Sequence, residues 1–114
     1  MIFCSNHPEL KVIFAHLGGG LWLYELMPEM KKILANAYYD LAALPWLYEP
    51  KILNAIKAAG LIEKFLFGSD FPILNLQRYE KLFMASELNA EDIEAVKRRN
   101  ALKLFSSLSD RTKT

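Results

Sequence analysis

Short apolar runs closed by glycine or proline alternate along the chain with stretches in which apolar residues return every three or four positions. Residues 10–15 form an unbroken β-rich run that ends just before Gly18-Gly19-Gly20, which predicts a buried strand and a turn without Cβ hindrance. Over residues 22–35, Met27, Met30 and Leu34 recur at helical spacing while Glu29, Lys31 and Lys32 fill the opposite side, so a helix packed on one face is expected. Residues 37–41 read as a second strand, followed by an aromatic loop, Trp46-Leu47-Tyr48, between Pro45 and Pro50. Pro50 suits the first turn of a helix that carries Ile52, Ile56 and Ala59 inward and ends at Gly60. Residues 64–68 give a third strand. Two more helices follow: one over residues 77–87 with Tyr79, Leu82 and Phe83 inward, and one capped by Asn89 with Glu91 and Asp92 in its first turn. Residues 107–114 are polar and are expected to fray.

The order is βαβαβα, which implies an α/β fold with a parallel sheet, in a single domain over residues 1–114. Three such strands with helices on one face leave the other face bare, whereas parallel strands are normally covered on both. Phe14, Phe65 and Phe67 are expected to contribute to the uncovered side. A second copy of the chain is the simplest cover, so a homo-oligomer formed through that face is expected.

Composition narrows the class. Apolar residues make up 53% of the 114 residues and charged residues 24%, which excludes general disorder. A net charge of +1 argues against a nucleic-acid or membrane footprint, and Lys97-Arg98-Arg99 reads as the solvated face of a terminal helix. Cys4 is the only cysteine, no apolar run is long enough to span a bilayer, and the first residues lack the basic region of a signal peptide. A cytoplasmic setting is the expectation.

Two motifs carry the chemistry. Ala15-His16-Leu17-Gly18-Gly19 follows the first strand and Phe67-Gly68-Ser69-Asp70-Phe71-Pro72 follows the third. Each delivers an ionisable group to the carboxyl end of a parallel strand, where ligands bind in such folds. Strand alternation would place Val12, Phe14 and His16 on one face. His16 can bind a metal or exchange a proton, or it can anchor the glycine turn by hydrogen bonding. Asp70 can ligate a metal or accept a proton from metal-bound water, or it can accept backbone N–H bonds at a loop start. Asp40 could face a cavity, although a satisfied acid is the favoured reading. Cys4 and His7 form a C-x-x-H pair without the further ligands a metal site needs. Trp22, Tyr24, Trp46 and Tyr48 read as core or interface. The glycines lack both phosphate-binding spacings, and no G-x-S-x-G nucleophile is present.

Taken together the motifs resemble the carboxyl-terminal part of the amidohydrolase-related family of TIM-barrel metal-dependent hydrolases. The segment His7-Pro8-Glu9-Leu10-Lys11-Val12-Ile13-Phe14-Ala15-His16-Leu17-Gly18-Gly19 is similar to that around the family's sixth strand. Tyr38-Tyr39-Asp40-Leu41 looks like the seventh, the Asp70 motif like the eighth, and Asn100-Ala101-Leu102-Lys103-Leu104-Phe105 like the segment near the last helix. The resemblance implies three βα units of a partial barrel and hydrolysis of C–N or C–O bonds in a small molecule by metal-activated water. It assigns Asp70 and His16 as catalytic and metal-binding residues, with a divalent metal, zinc first. The family's His-x-His on strand one and its strand-five histidine have no counterpart here. Two alternatives follow from that gap. One is a non-catalytic, self-associating barrel fragment; the other is a decarboxylase-type member active only with a complementing chain.

Overall fold

The computed structural model describes residues 4, 6, 7, 9–68 and 76–112, the last six by backbone alone. Three parallel strands, β1 (Val12–Phe14), β2 (Ala37–Asp40) and β3 (Phe65–Leu66), lie side by side in the order β1-β2-β3. Register pairs Phe14 with Tyr39 and Tyr39 with Phe65. Those three aromatic side chains therefore form one row across a single face, with ring centroids 6.1 Å and 5.1 Å apart along it. Trp22 meets Phe65 edge-on, and Leu17, Leu34, Leu53 and Ile56 complete a closed core on this side.

The row corrects one expectation. Phe14, Phe65 and Phe67 belong to the covered face, where Phe67 packs edge-on against Tyr79. Ile13 and Tyr38 are the register pair on the other face; Ile13 is 43% exposed and Tyr38 half-buried. Cover on that side is uneven, because Leu66 at the β3 edge is buried.

The helix expected over residues 22–35 is split. His16–Leu26 is a tightly wound segment with left-handed backbone over residues 16–20, and only α1 (Pro28–Ile33) is α-helical. The glycine run sets up the left-handed start, and Pro28 opens the helix at a position where its missing N–H costs nothing. The aromatic loop also contains a short helix, α2 (Leu44–Leu47).

Other elements follow the pattern closely. α3 (Lys51–Ala58) has Pro50 at its N-cap and buries Leu53 and Ile56. Gly60 adopts φ +75° behind it. α4 (Leu76–Ala85) buries Tyr79, Leu82 and Phe83. α5 (Ala90–Glu94) starts with a full capping box: Asp92 N–H donates to Asn89 Oδ1 and Asn89 N–H to Asp92 Oδ2. A π turn (Ala95–Arg99) leads directly into α6 (Asn100–Thr112). In that turn Asn100 N–H donates to Ala95, one residue farther back than in an α-helix. The carbonyl of Val96 loses its usual partner and accepts the Phe67 N–H instead, at 3.0 Å. Asn100, itself buried, donates from Nδ2 to the carbonyls of Ile62 and Phe65, so the helix grips β3 at both ends. No helix among the described residues is long and apolar enough to cross a membrane.

Candidate functional site

All three strands run the same way, so their carboxyl ends share one rim. His16 sits two residues beyond β1 on that rim and is exposed. Its φ of +53° takes it out of strand alternation, so Phe14 and His16 do not simply share a face. The backbone N–H of His16 donates to Asp40 Oδ1 at 3.0 Å. The same oxygen accepts the Ala42 N–H at 3.1 Å. The His16 ring closes the circuit, with Nδ1 2.9 Å from the Ala42 carbonyl oxygen.

A carbonyl oxygen only accepts, so this contact puts the proton of the neutral ring on Nδ1 and the lone pair on Nε2. The two readings of His16 are thus joined in one side chain. Nδ1 anchors the ring, and Nε2 is the chemically available atom. Asp40 is a satisfied acid, as expected, and its satisfaction ties two strand ends together.

The exit of β3 reaches the same rim. A Cβ built on Gly68 would lie 3.9 Å from that of Ala42, the residue that holds the His16 ring. Asp70 lies outside the described residues.

Three features were not legible in the sequence. Ala42 carries no chemistry of its own and contributes only backbone atoms. Ala43 adopts φ +60° although it is not glycine. Glu25 is 4% exposed, in a segment expected to be amphipathic helix. Tyr39 donates its hydroxyl to Glu25 Oε2 at 2.5 Å, and Lys64 Nζ binds Oε1 at 2.6 Å and the Leu34 carbonyl at 2.7 Å. Burial, reinforced by the hydrogen bond to Glu25, pushes the Tyr39 phenol well above its ordinary range, so it acts as a fixed donor. Leu34 and Lys64 place part of this network before β2 and β3, at the amino end of the sheet. A cleft of about 270 Å³ lined by Lys11, Tyr38, Glu63 and Lys103 opens at that same end.

A divalent metal is testable against these groups. An imidazole whose Nδ1–H is held by a carbonyl while Nε2 faces outward has the chemistry of a metal-binding histidine. No partner reaches Nε2 among the described residues, and no three His, Cys, Asp or Glu side chains cluster there as a complete centre requires. The fit is therefore that of one donor. Among the described residues the C-x-x-H pair forms no such cluster either.

Comparison with known proteins places this rim in a wider frame. The family model described as Amidohydrolase matches residues 3–106. Among solved structures, the chain is similar to 2,6-dihydroxybenzoate decarboxylase from Rhizobium, at 22% identity and TM-score 0.66, over 89% of this chain and 36% of that one. It is similar to 5-carboxyvanillate decarboxylase from Sphingomonas paucimobilis, at 15% identity and TM-score 0.70, over 93% and 37%. A third likeness is to a dihydroxybenzoic acid decarboxylase from a Polaromonas species, with bound manganese and the inhibitor 2-nitroresorcinol, at 22% identity and TM-score 0.65, over 92% and 37%. No curated protein sequence matches. The chain spans little more than a third of the length of these solved structures, and the likeness is one of fold: three βα units of a barrel. With the matched span running through all three strands and the rim they share, the chain belongs to the amidohydrolase family.

Proposed function

We propose that this chain supplies the His16 side of a metal-dependent active site acting on a small carboxylated aromatic molecule, with decarboxylation favoured over C–N or C–O hydrolysis. The observation that carries the reading is the ring of His16, fixed at Nδ1 on the carboxyl-end rim and open at Nε2. The preference for decarboxylation is supported by the activities named for the similar solved structures. Asp70 and His16 are this chain's proposed metal donors, and manganese is as reasonable an occupant as zinc. A bound divalent metal would withdraw electrons from the substrate. Loss of carbon dioxide from an aromatic acid requires a proton at the carbon it leaves, and hydrolysis requires one at the leaving heteroatom. Nε2 of His16 has a single lone pair, so as a metal donor it does not also carry that proton, which a group outside this chain would supply.

Two protein donors fall short of the three that a catalytic metal usually takes, so the rest of the set must come from outside this chain. The test is elemental analysis of the purified chain after loading with manganese or zinc. It is paired with assays for carbon dioxide release from 2,6-dihydroxybenzoate and for hydrolysis of simple amides and esters. Bound metal that is lost in His16→Ala and Asp70→Ala, together with decarboxylation, supports the reading. Metal retention unaffected by either substitution overturns the ligand assignment; hydrolysis without decarboxylation overturns the reaction.

A second reading concerns the sheet's outer face. Ile13, on an edge strand, is 43% exposed there, and Tyr38 beside it is half-buried. Self-association through this face is proposed to cover it. Light scattering that stays at monomer mass across a concentration series would sink that idea.

A further inference from the structure

Three non-glycine residues among those described hold positive φ: His16 at +53°, Leu17 at +61° and Ala43 at +60°. Such conformations are disfavoured for L-residues and persist only where the surroundings impose them. All three flank one contact. His16 and Leu17 begin the left-handed segment after β1. Ala43, at φ +60° and ψ 11°, is the third residue of a turn closed by the Leu44 N–H on the Leu41 carbonyl at 3.1 Å. That turn is of the type that ordinarily takes glycine at this place, and it flips the central peptide outward. The flipped group is the Ala42 carbonyl, the one that meets the His16 ring.

Asp40 is the element common to both strained segments. A single oxygen, Oδ1, accepts the N–H of His16 from one and the N–H of Ala42 from the other. We infer that Asp40 is a positioning residue: it clamps the two strand exits together so that the Ala42 carbonyl holds Nδ1–H of His16 and leaves Nε2 outward. Without the clamp, each exit would relax toward an ordinary backbone conformation and the ring would lose its acceptor. The inference rests on the proposed function only for its purpose; the geometry it asserts needs neither metal nor substrate.

The experiment is nitrogen-15 NMR of the His16 ring in the metal-free 114-residue chain, about two pH units above the ordinary imidazole value of ~6.5. The wild-type ring is expected in the Nδ1–H form. A through-hydrogen-bond coupling is expected between the His16 amide nitrogen and the Asp40 carboxyl carbon. Asp40→Ala should lower the ratio of Nδ1–H to Nε2–H forms roughly fivefold or more, the change that one net hydrogen bond sets. Asp40→Asn, which keeps an accepting oxygen and loses the charge, should restore it. An unchanged ratio in folded Asp40→Ala overturns the inference, as does an Asn variant that behaves like Ala. If Asp40→Ala does not fold, the wild-type coupling decides: its presence supports the clamp and its absence removes it. An Nδ1–H pattern in a wild-type chain that binds no metal would support the clamp and overturn the proposed function. Conversely, metal binding that survives without a clamp would leave the proposed function standing and this inference overturned.

Discussion

Lys64 reaches from the residue before β3 to the carboxylate of Glu25, 2.6 Å from Nζ to Oε1, and makes the buried acid near the end of the His16–Leu26 segment tolerable. The Glu25 side chain is 1% exposed and that of Lys64 17%. Two charges withdrawn this far from water gain little net stability as a pair, but either one left alone is costly.

Lys64→Met is therefore expected to destabilise the chain by about 3 kcal/mol, because Glu25 keeps its burial and loses its cation. Adding Glu25→Leu should recover much of that loss, although the Tyr39 hydroxyl then lacks its acceptor. Urea denaturation of the two variants checks the pair. A double variant less stable than Lys64→Met would contradict the account.

Leu17 combines 1% exposure with φ +61°, so packing and backbone preference pull against each other. Truncation to alanine should cost about 3 kcal/mol through the lost core contacts. Replacement by glycine should be about 1 kcal/mol milder than by alanine, the reverse of the order within a helix. Thermal melts of the two variants measured side by side would decide it.

Gly18 and Gly60 separate crowding from backbone strain. Both have positive φ, but a Cβ on Gly18 would come within 3.1 Å of Leu21, 3.2 Å of Tyr39 and 3.3 Å of Phe14, while nothing lies within 4 Å at Gly60. Gly60→Ala should cost only the conformational penalty of about 1 kcal/mol. Gly18→Ala should cost about 2–3 kcal/mol, since an overpacking term adds to it. Equal losses in chemical denaturation would show that the aromatic row yields freely.

The hydrogen bond and charge of Lys57, 2.7 Å away, hold the Asp92 carboxyl below its ordinary value. A carboxyl depressed in the folded state adds stability above its unfolded value of ~3.9, and that stability disappears as pH falls through the folded one. Lys57→Met should thus cost about 0.5 kcal/mol near neutral pH and almost nothing at about pH 2. Denaturation midpoints at both pH values test the sign. A gap that widens in acid would refute it.

Much of this architecture could be read from side-chain pattern. Asn89 and Asp92 announced a capped helix, and Tyr79, Leu82 and Phe83 announced its neighbour's buried face, because those signals are local. His16 was placed correctly at a strand exit for the same reason. Its orientation was not legible, since that depends on the Ala42 backbone and on the left-handed conformation of Ala43, which leave no mark in residue type. Glu25 was hidden differently. An acid in a run with Trp22 and Tyr24 reads as solvated until Lys64, 39 positions away, is brought beside it. The split of the expected long helix has a backbone origin too, as the turn that begins at His16 carries its unusual winding past the glycines.

The left-handed exit from β1 has a consequence for how such a site can change. Because His16 takes its bearings from the loop after β2, lengthening or shortening that neighbouring loop would re-aim the imidazole without touching its own strand. Residues 41–43, which offer no reactive side chain, are then the natural dial for the direction in which Nε2 points. Variation in them would turn the ring while the Ala15-His16-Leu17-Gly18-Gly19 motif stayed the same.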